Sequence, residues 1–213
     1  MEGNLNRVPR AFYRRHGVLV APELLGLLLV HETADGVTAG LIVEDEAYIG
    51  PEDRACHAYG GRITRRNRAM YGPPGTAYVY FTYGMHYCFN IVAAEEGVPH
   101  AILIRALEPI DGLDLMAIRR GRRLPLATGP ARVCQAMGID LSHNGADLVN
   151  GELYLAFPPA RLSRTFKVGR SPRIGVNYAG EARDYLWRFF IEGNPFVSHT
   201  AGSRPGRSGG VRA

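Results

Sequence analysis

Three consecutive acids stand in the string Val43-Glu44-Asp45-Glu46-Ala47-Tyr48. A positioned carboxylate can take a proton from an attacking water or stabilise positive charge that develops beside it. Period-two geometry places Glu44, Glu46 and Tyr48 on one face of a strand and Val43, Asp45 and Ala47 on the other. Adjacent like charges repel, and acids are poor strand formers, so a solvated edge strand is the plainer reading. Ile49-Gly50-Pro51 ends the strand directly after the acids. Strand ends are where side chains can meet a substrate. Spacing alone does not choose among Glu44, Asp45 and Glu46.

A second concentration is aromatic: Tyr78-Val79-Tyr80-Phe81-Thr82-Tyr83-Gly84-Met85-His86-Tyr87. Tyr78 and Tyr80 share a face, and with Tyr87 they suit a sheet core. Tyr83 falls at the turn, where a large ring has little core to enter and could act as a wedge in a base stack. Directly before this hairpin lies a loop with Arg62, Arg65, Arg66 and Arg68. Arginines beside exposed aromatics suit nucleic acid, one neutralising phosphate and the other stacking on bases. Asn90 sits in the apolar string Phe89-Asn90-Ile91, where its amide needs a partner. Arg105 reads either as an outward strand charge or as a paired functional group, with Glu108 as the candidate partner. His57 taken alone reads as a structural histidine.

The elements that must position these residues follow from turn signals and periodicity. Pro22-Glu23 opens a short helix over Leu24, Leu25 and Leu27. Leu28 to Glu32 and Thr38 to Tyr48 form a hairpin around Asp35-Gly36. Pro51-Glu52-Asp53 opens a short helix carrying Cys56 and His57. Thr76 to Ala93 folds as a second hairpin broken at Tyr83-Gly84-Met85, and Val98 to Leu107 is a further strand. Helices are expected over Ile110 to Arg120 and over Pro130 to Met137, the latter closed by Gly138. Short strands and loops follow to Phe196. This is an α+β pattern: a single domain with a curved, mainly antiparallel sheet, surrounding helices and a protruding hairpin. Residues 1–15 read as an exposed basic lead-in, 16–200 as the domain and 201–213 as a disordered Gly/Arg tail.

Bulk properties bound the class. The chain has 213 residues, 46% hydrophobic and 21% charged, which allows a buried core and argues against global disorder. No apolar run approaches the ~20 residues of a membrane span, and the N-terminus has no secretory apolar region. A cytoplasmic or nucleoid protein is the default. Cys56, Cys88 and Cys134 are scattered and read as small buried residues rather than disulfide or zinc ligands. No metal or cofactor is expected. The net charge is +5, which favours a polyanionic partner. Of 25 Lys and Arg residues only Lys167 is a lysine, so Schiff-base chemistry has one candidate side chain.

These strings in this order resemble the alkyladenine DNA glycosylase family, also called methylpurine or 3-methyladenine DNA glycosylases of the mammalian type. The strings are Ile42 to Tyr48 with Gly50-Pro51-Glu52-Asp53, Arg65-Arg66-Asn67-Arg68, Gly75 to Asn90, Arg105-Ala106-Leu107-Glu108-Pro109 and Thr128-Gly129-Pro130, and the match runs from about Leu24 to Ser198. The resemblance implies that Glu46 is the general base, with Arg105 near the catalytic water and the lesion phosphate. It implies that Tyr48 and His57 line one side of a flipped base, Tyr80 stacks on its other face and Asn90 obstructs the 2-amino group of guanine. Tyr83 would fill the gap left in the duplex. The implied partner is double-stranded DNA containing damaged purines, bound by a monomer. Asn177-Tyr178 departs from the family pattern near the loop that could touch the base edge, and the terminal arms have no counterpart.

Two rival readings are weaker. A noncatalytic nucleic-acid binder would use the arginine loop and tyrosines, but carboxylates repel phosphate. A carbohydrate-active hydrolase pairing Glu46 with Glu44 or Asp45 leaves the basic loop unexplained, and neighbours on one strand point apart.

Overall fold

The computed structural model describes residues 5–198. The tail expected from Ala201 lies outside the described residues. Eight strands form one antiparallel sheet: β1 (Leu28–Thr33), β2 (Gly36–Ile49), β3 (Ala77–Thr82), β4 (His86–Ala93), β5 (His100–Asp111), β6 (Leu153–Ala156), β7 (Val168–Ser171) and β8 (Arg188–Ile191). Six follow the order β3-β4-β5-β2-β1-β6, and the β7–β8 pair joins through β8 to β2. The curled sheet with few helices is the expected α+β domain.

β2 is the axis of the fold. It pairs along one edge with β5, and along the other first with β1 and then, over Glu44 to Glu46, with β8. The acids therefore lie on a central strand, and the solvated edge expected for them is not what forms. The β2–β5 register shifts on both sides of Glu44. Such a bulge bends a strand and re-aims its side chains.

The helices are α1 (Arg10–Tyr13), α2 (Gly17–Leu24), α3 (Leu113–Arg119) and α4 (Pro130–Met137). α2 packs on β2, β5 and β8, and α4 packs on β4 and β5. The helix expected to start at Pro22 in fact ends just after it. Starting at Gly17 buries Val20, Ala21 and Leu24 completely. That apolar face offsets the single intrahelical bond that the proline removes. Residues 5–15 are only partly the exposed lead-in expected: Arg14 and Arg15 are exposed. Val8 and Tyr13 are fully buried, and Arg10 bridges to Asp147 at 2.8 Å.

Two other boundaries differ from expectation. No helix carries Cys56 and His57; a single 3-10 turn spans Gly50–Glu52. The Asp53 carboxylate accepts the amides of Ile49 (3.1 Å) and Ala55 (3.0 Å), which turns the chain before a helix can continue. β5 runs on to Asp111, and α3 starts only after Gly112. Gly112 has φ +69, and a Cβ there would lie 2.2 Å from the Val37 carbonyl oxygen. Only glycine makes that corner.

Candidate active site

Glu44, Asp45 and Glu46 are all fully buried, yet each meets a different environment. Glu46 accepts three hydrogen bonds. Its Oε2 takes the Tyr48 hydroxyl at 2.8 Å and Arg105 Nη1 at 3.3 Å, and its Oε1 takes the Ile174 amide at 2.7 Å. A carboxylate offers about four lone-pair positions, so one remains on Oε1. Glu44 accepts Arg105 Nε and Arg188 Nε, each at 2.8 Å, and both the hydroxyl and the amide of Ser198, at 2.7 and 2.6 Å. Burial pushes the Glu44 pKa up, but Arg105 and Arg188 outweigh it and hold the group below the usual carboxylate range.

Asp45 points to the opposite face of β2. Its oxygens have no hydrogen-bond partner among the described residues. Burial, then the charges of Glu44 and Glu46, push its pKa well above the ordinary value. A folded-state pKa above the unfolded value of about 3.9 means that the folded protein binds the extra proton. Stability then falls as pH rises from the unfolded pKa through the folded one. Asp45→Asn is expected to flatten this slope, so that urea titrations at pH 5 and pH 8 differ less for the variant than for the parent. An equal difference in both would show that Asp45 is not a neutral carboxyl in the fold.

Arg105 comes from β5, beside Glu44 and Glu46 in the paired register. It does not pair with Glu108. Three residues along a strand lie on opposite faces, and Glu108 instead meets Arg164 at 3.2 Å and Asn194 at 2.9 Å.

In front of Glu46 opens a cavity of about 310 Å³, with Tyr48, His57, Tyr80, Asn90, Arg105 and Ile174 in its walls. Seven of the expected site residues thus converge there, Arg66 and Tyr83 included, with Glu46 behind the wall. The His57 ring meets Tyr80 edge-on with centroids 4.6 Å apart, and its Nδ1 lies 2.7 Å from the Tyr78 hydroxyl. One side of His57 remains open to solvent. Packing of the rest of the ring, then the charge of Arg66, lowers its pKa to about 4, so it is neutral at physiological pH. The Asn90 amide donates to the Tyr78 carbonyl at 2.9 Å, which satisfies it in the apolar strand.

The exposed tip of the β3–β4 hairpin reaches the cavity mouth. Tyr83 is 87% exposed, has φ +52 and contributes to the lining. A bulky residue in the left-handed region is unusual and marks a constrained tip. Arg62, Arg65, Arg66 and Arg68 are all exposed. Arg66 stands apart from the other three: its guanidinium lies 4.8 Å from the Tyr80 ring centroid and lines the cavity.

Sequence reasoning missed the loop from Arg173 to Tyr178 as a structural part of the site. Arg173 is fully buried in an ion pair with Asp53 and donates to the Ala47 and Ala182 carbonyls at 2.9 and 3.1 Å. The next residue, Ile174, holds Glu46 through its amide. Tyr178, 71% exposed, stands at the cavity mouth. The loop has no hydrophobic period; its one visible signal is an aromatic at a position that departs from the family strings.

A larger cavity of about 480 Å³ lies elsewhere, walled by Leu25, Leu41, Val43, Phe166 and Ile191 among others. Size does not select it: the buried carboxylate, the convergent aromatics and the hairpin tip all belong to the smaller one. Among the described residues no helix is long and apolar enough to cross a membrane.

An acid sealed behind an aromatic, base-sized cavity suits hydrolysis at a nucleobase, and comparison with known proteins defines the class as DNA N-glycosylase, a hydrolase. The chain belongs to the methylpurine-DNA glycosylase family, whose model matches residues 11–195. It is 48% identical over 199 residues to a protein of Clostridium acetobutylicum, covering 89% of this chain and 96% of that one. It is 46% identical over 204 residues to one of Desulfitobacterium hafniense, covering 91% and 99%. Both relatives are named "Putative 3-methyladenine DNA glycosylase".

Proposed function

We propose that this chain flips alkylated or deaminated purines out of duplex DNA and hydrolyses the N-glycosidic bond with water, leaving an abasic site. Its substrates would be 3-methyladenine and 7-methylguanine first, then hypoxanthine and ethenoadenine. The observation that carries this reading is Glu46: a buried carboxylate with one acceptor position left, fixed by Tyr48, Arg105 and Ile174, all three of which line an aromatic cavity. The relatives' names support the alkylated purine.

The roles follow physically. A base within the stack is unreachable and costs a few kcal/mol to extrude. Tyr83 at the hairpin tip offsets part of this by entering the vacated stack. The His57 and Tyr80 rings touch, with centroids 4.6 Å apart, so these two wall one side of the flipped base and Tyr48 the other, and stacking of this kind is worth ~1–3 kcal/mol per base while tolerating several lesion shapes. Asn90 crowds the 2-amino group of guanine. The neutral His57 adds no repulsion toward a cationic alkylated base. Arg62, Arg65, Arg66 and Arg68 hold phosphates, and Arg105 faces the catalytic water and the lesion phosphate. Glu46 takes the water's proton and stabilises the positive charge that develops on the sugar. An alkylated purine carries positive charge and leaves readily; neutral hypoxanthine needs a proton donor as well. Lys167 is exposed and does not line the cavity, which supports water rather than an amine as nucleophile.

A duplex oligonucleotide with one hypoxanthine or ethenoadenine is expected to yield an abasic site, with strand cleavage only after alkali. Immediate nicking would sink the water-mediated reading. Equal binding of lesion and undamaged duplex with no base released would favour a noncatalytic binder.

A further inference from the structure

Glu44 takes no part in the steps above, yet it holds the arginine of the site more closely than Glu46 does. Arg105 Nε lies 2.8 Å from Glu44, whereas Arg105 Nη1 lies 3.3 Å from Glu46. We propose that Glu44 is a positioning residue for the reaction proposed above: it binds the Arg105 guanidinium so that this cation does not close a full ion pair with Glu46, and Glu46 stays basic. The inference rests on that reading of Glu46.

The charges around Glu46 show why a second acid is needed. Arg105 reaches it from β5, and Arg188 from β8 lies one carboxylate away on Glu44. On β2 itself, Tyr48 donates a hydrogen bond to Glu46, and Asp45 is turned to the opposite face, where burial pushes its pKa up. The Arg173 loop contributes the Ile174 amide to Glu46 and, at longer range, the charge of Arg173, which is itself paired with Asp53, and the chain near the C-terminal end contributes Ser198 to Glu44. Arg105 and Arg188 therefore face the two carboxyl groups of Glu44 and Glu46 directly. Without Glu44, both would act on Glu46 alone. A carboxylate in a tight pair with arginine is harder to protonate and is a weaker base. Glu44 also fixes how Arg105 is turned. With Nε on Glu44 and Nη1 on Glu46, the remaining N–H groups of the fork stay free for the cavity that Arg105 lines. Ser198 and Arg188 in turn fix Glu44, and Arg188 is itself held by Ser171 at 3.0 Å and by the Ser198 carbonyl at 2.8 Å.

The test is the pH dependence of single-turnover base release from a hypoxanthine duplex. In the parent, release falls on the acid side as Glu46 is protonated. Glu44→Gln removes a negative charge, so its acid limb is expected about one pH unit lower, with a reduced plateau rate. Glu44→Asp keeps the charge but shortens the reach; it should lower the plateau and leave the limb in place. Arg188→Gln removes a positive charge and should move the limb to higher pH, which provides the test if Glu44→Gln does not fold. Limbs that coincide in parent, Glu44→Gln and Arg188→Gln would overturn the inference and leave Glu44 a purely structural residue. If the parent releases no base at any pH, it is the underlying reading of Glu46 that fails.

Discussion

Glu46→Gln is expected to bind a lesion-containing duplex as the parent does while losing about 10²–10⁴-fold in single-turnover base release, the usual contribution of a positioned general base. Glutamine has nearly the shape of glutamate. Its carbonyl oxygen can still accept from Ile174, or from Tyr48 and Arg105, which hold the acid at 2.7, 2.8 and 3.3 Å. The pocket walls stay in place, so affinity should survive. The variant cannot take the proton of water and carries no charge to stabilise an electron-poor sugar. Excision and binding must be measured on the same duplex. Excision at the parent rate would remove Glu46 from the chemistry. Loss of both together would point to a damaged pocket rather than a missing base.

The second large effect concerns stability. Asp53→Ala is expected to cost about 3–5 kcal/mol, because it leaves the fully buried Arg173 without its counter-ion. For a chain of this size that corresponds to a fall in Tm on the order of 10 °C. Asp53 also ties the amides of Ile49 and Ala55, so the turn after β2 loses its lock. Arg173 packs over Tyr48 and Trp187, with its guanidinium carbon 4.7 and 5.1 Å from the two ring centroids. The damage should therefore reach the site, since the same loop presents the Ile174 amide to Glu46. Thermal melts of parent and variant decide the matter, and a Tm change within a degree or two would mean that Arg173 finds other partners. Activity should be compared well below the variant's Tm, to separate a displaced loop from an unfolded population.

The local sequence carried much of the frame. The hairpin broken at Tyr83, the helix from Pro130 closed by Gly138 and the common face of Glu44, Glu46 and Tyr48 all follow from turn chemistry and strand period. The failures have local causes too. Pro22 is compatible with either end of a short helix, and the apolar face of Val20, Ala21 and Leu24 chose the earlier one. The Asp53 side chain replaced a helix with a turn. Glu108 was a plausible partner for Arg105 by proximity in sequence, but strand alternation sends it elsewhere.

What the sequence determined by itself, then, is which residues share a strand face, where the turns fall and, through resemblance, which of three acids to choose. Only the tertiary structure decided that those acids are buried at the centre of a sheet, that each meets a different set of charges and that the Arg173 loop completes the site. The physical reason is separation along the chain. A strand's period says which side chains lie together but not what covers them. Apart from Tyr48, the groups that hold Glu44 and Glu46 come from 59 to 154 residues away, so no local pattern records them. The ionisation of a buried carboxylate depends on the cations and amides that arrive with that cover, which is why three adjacent acids of similar intrinsic strength become an anchor, a core carboxyl with a raised pKa and a candidate base.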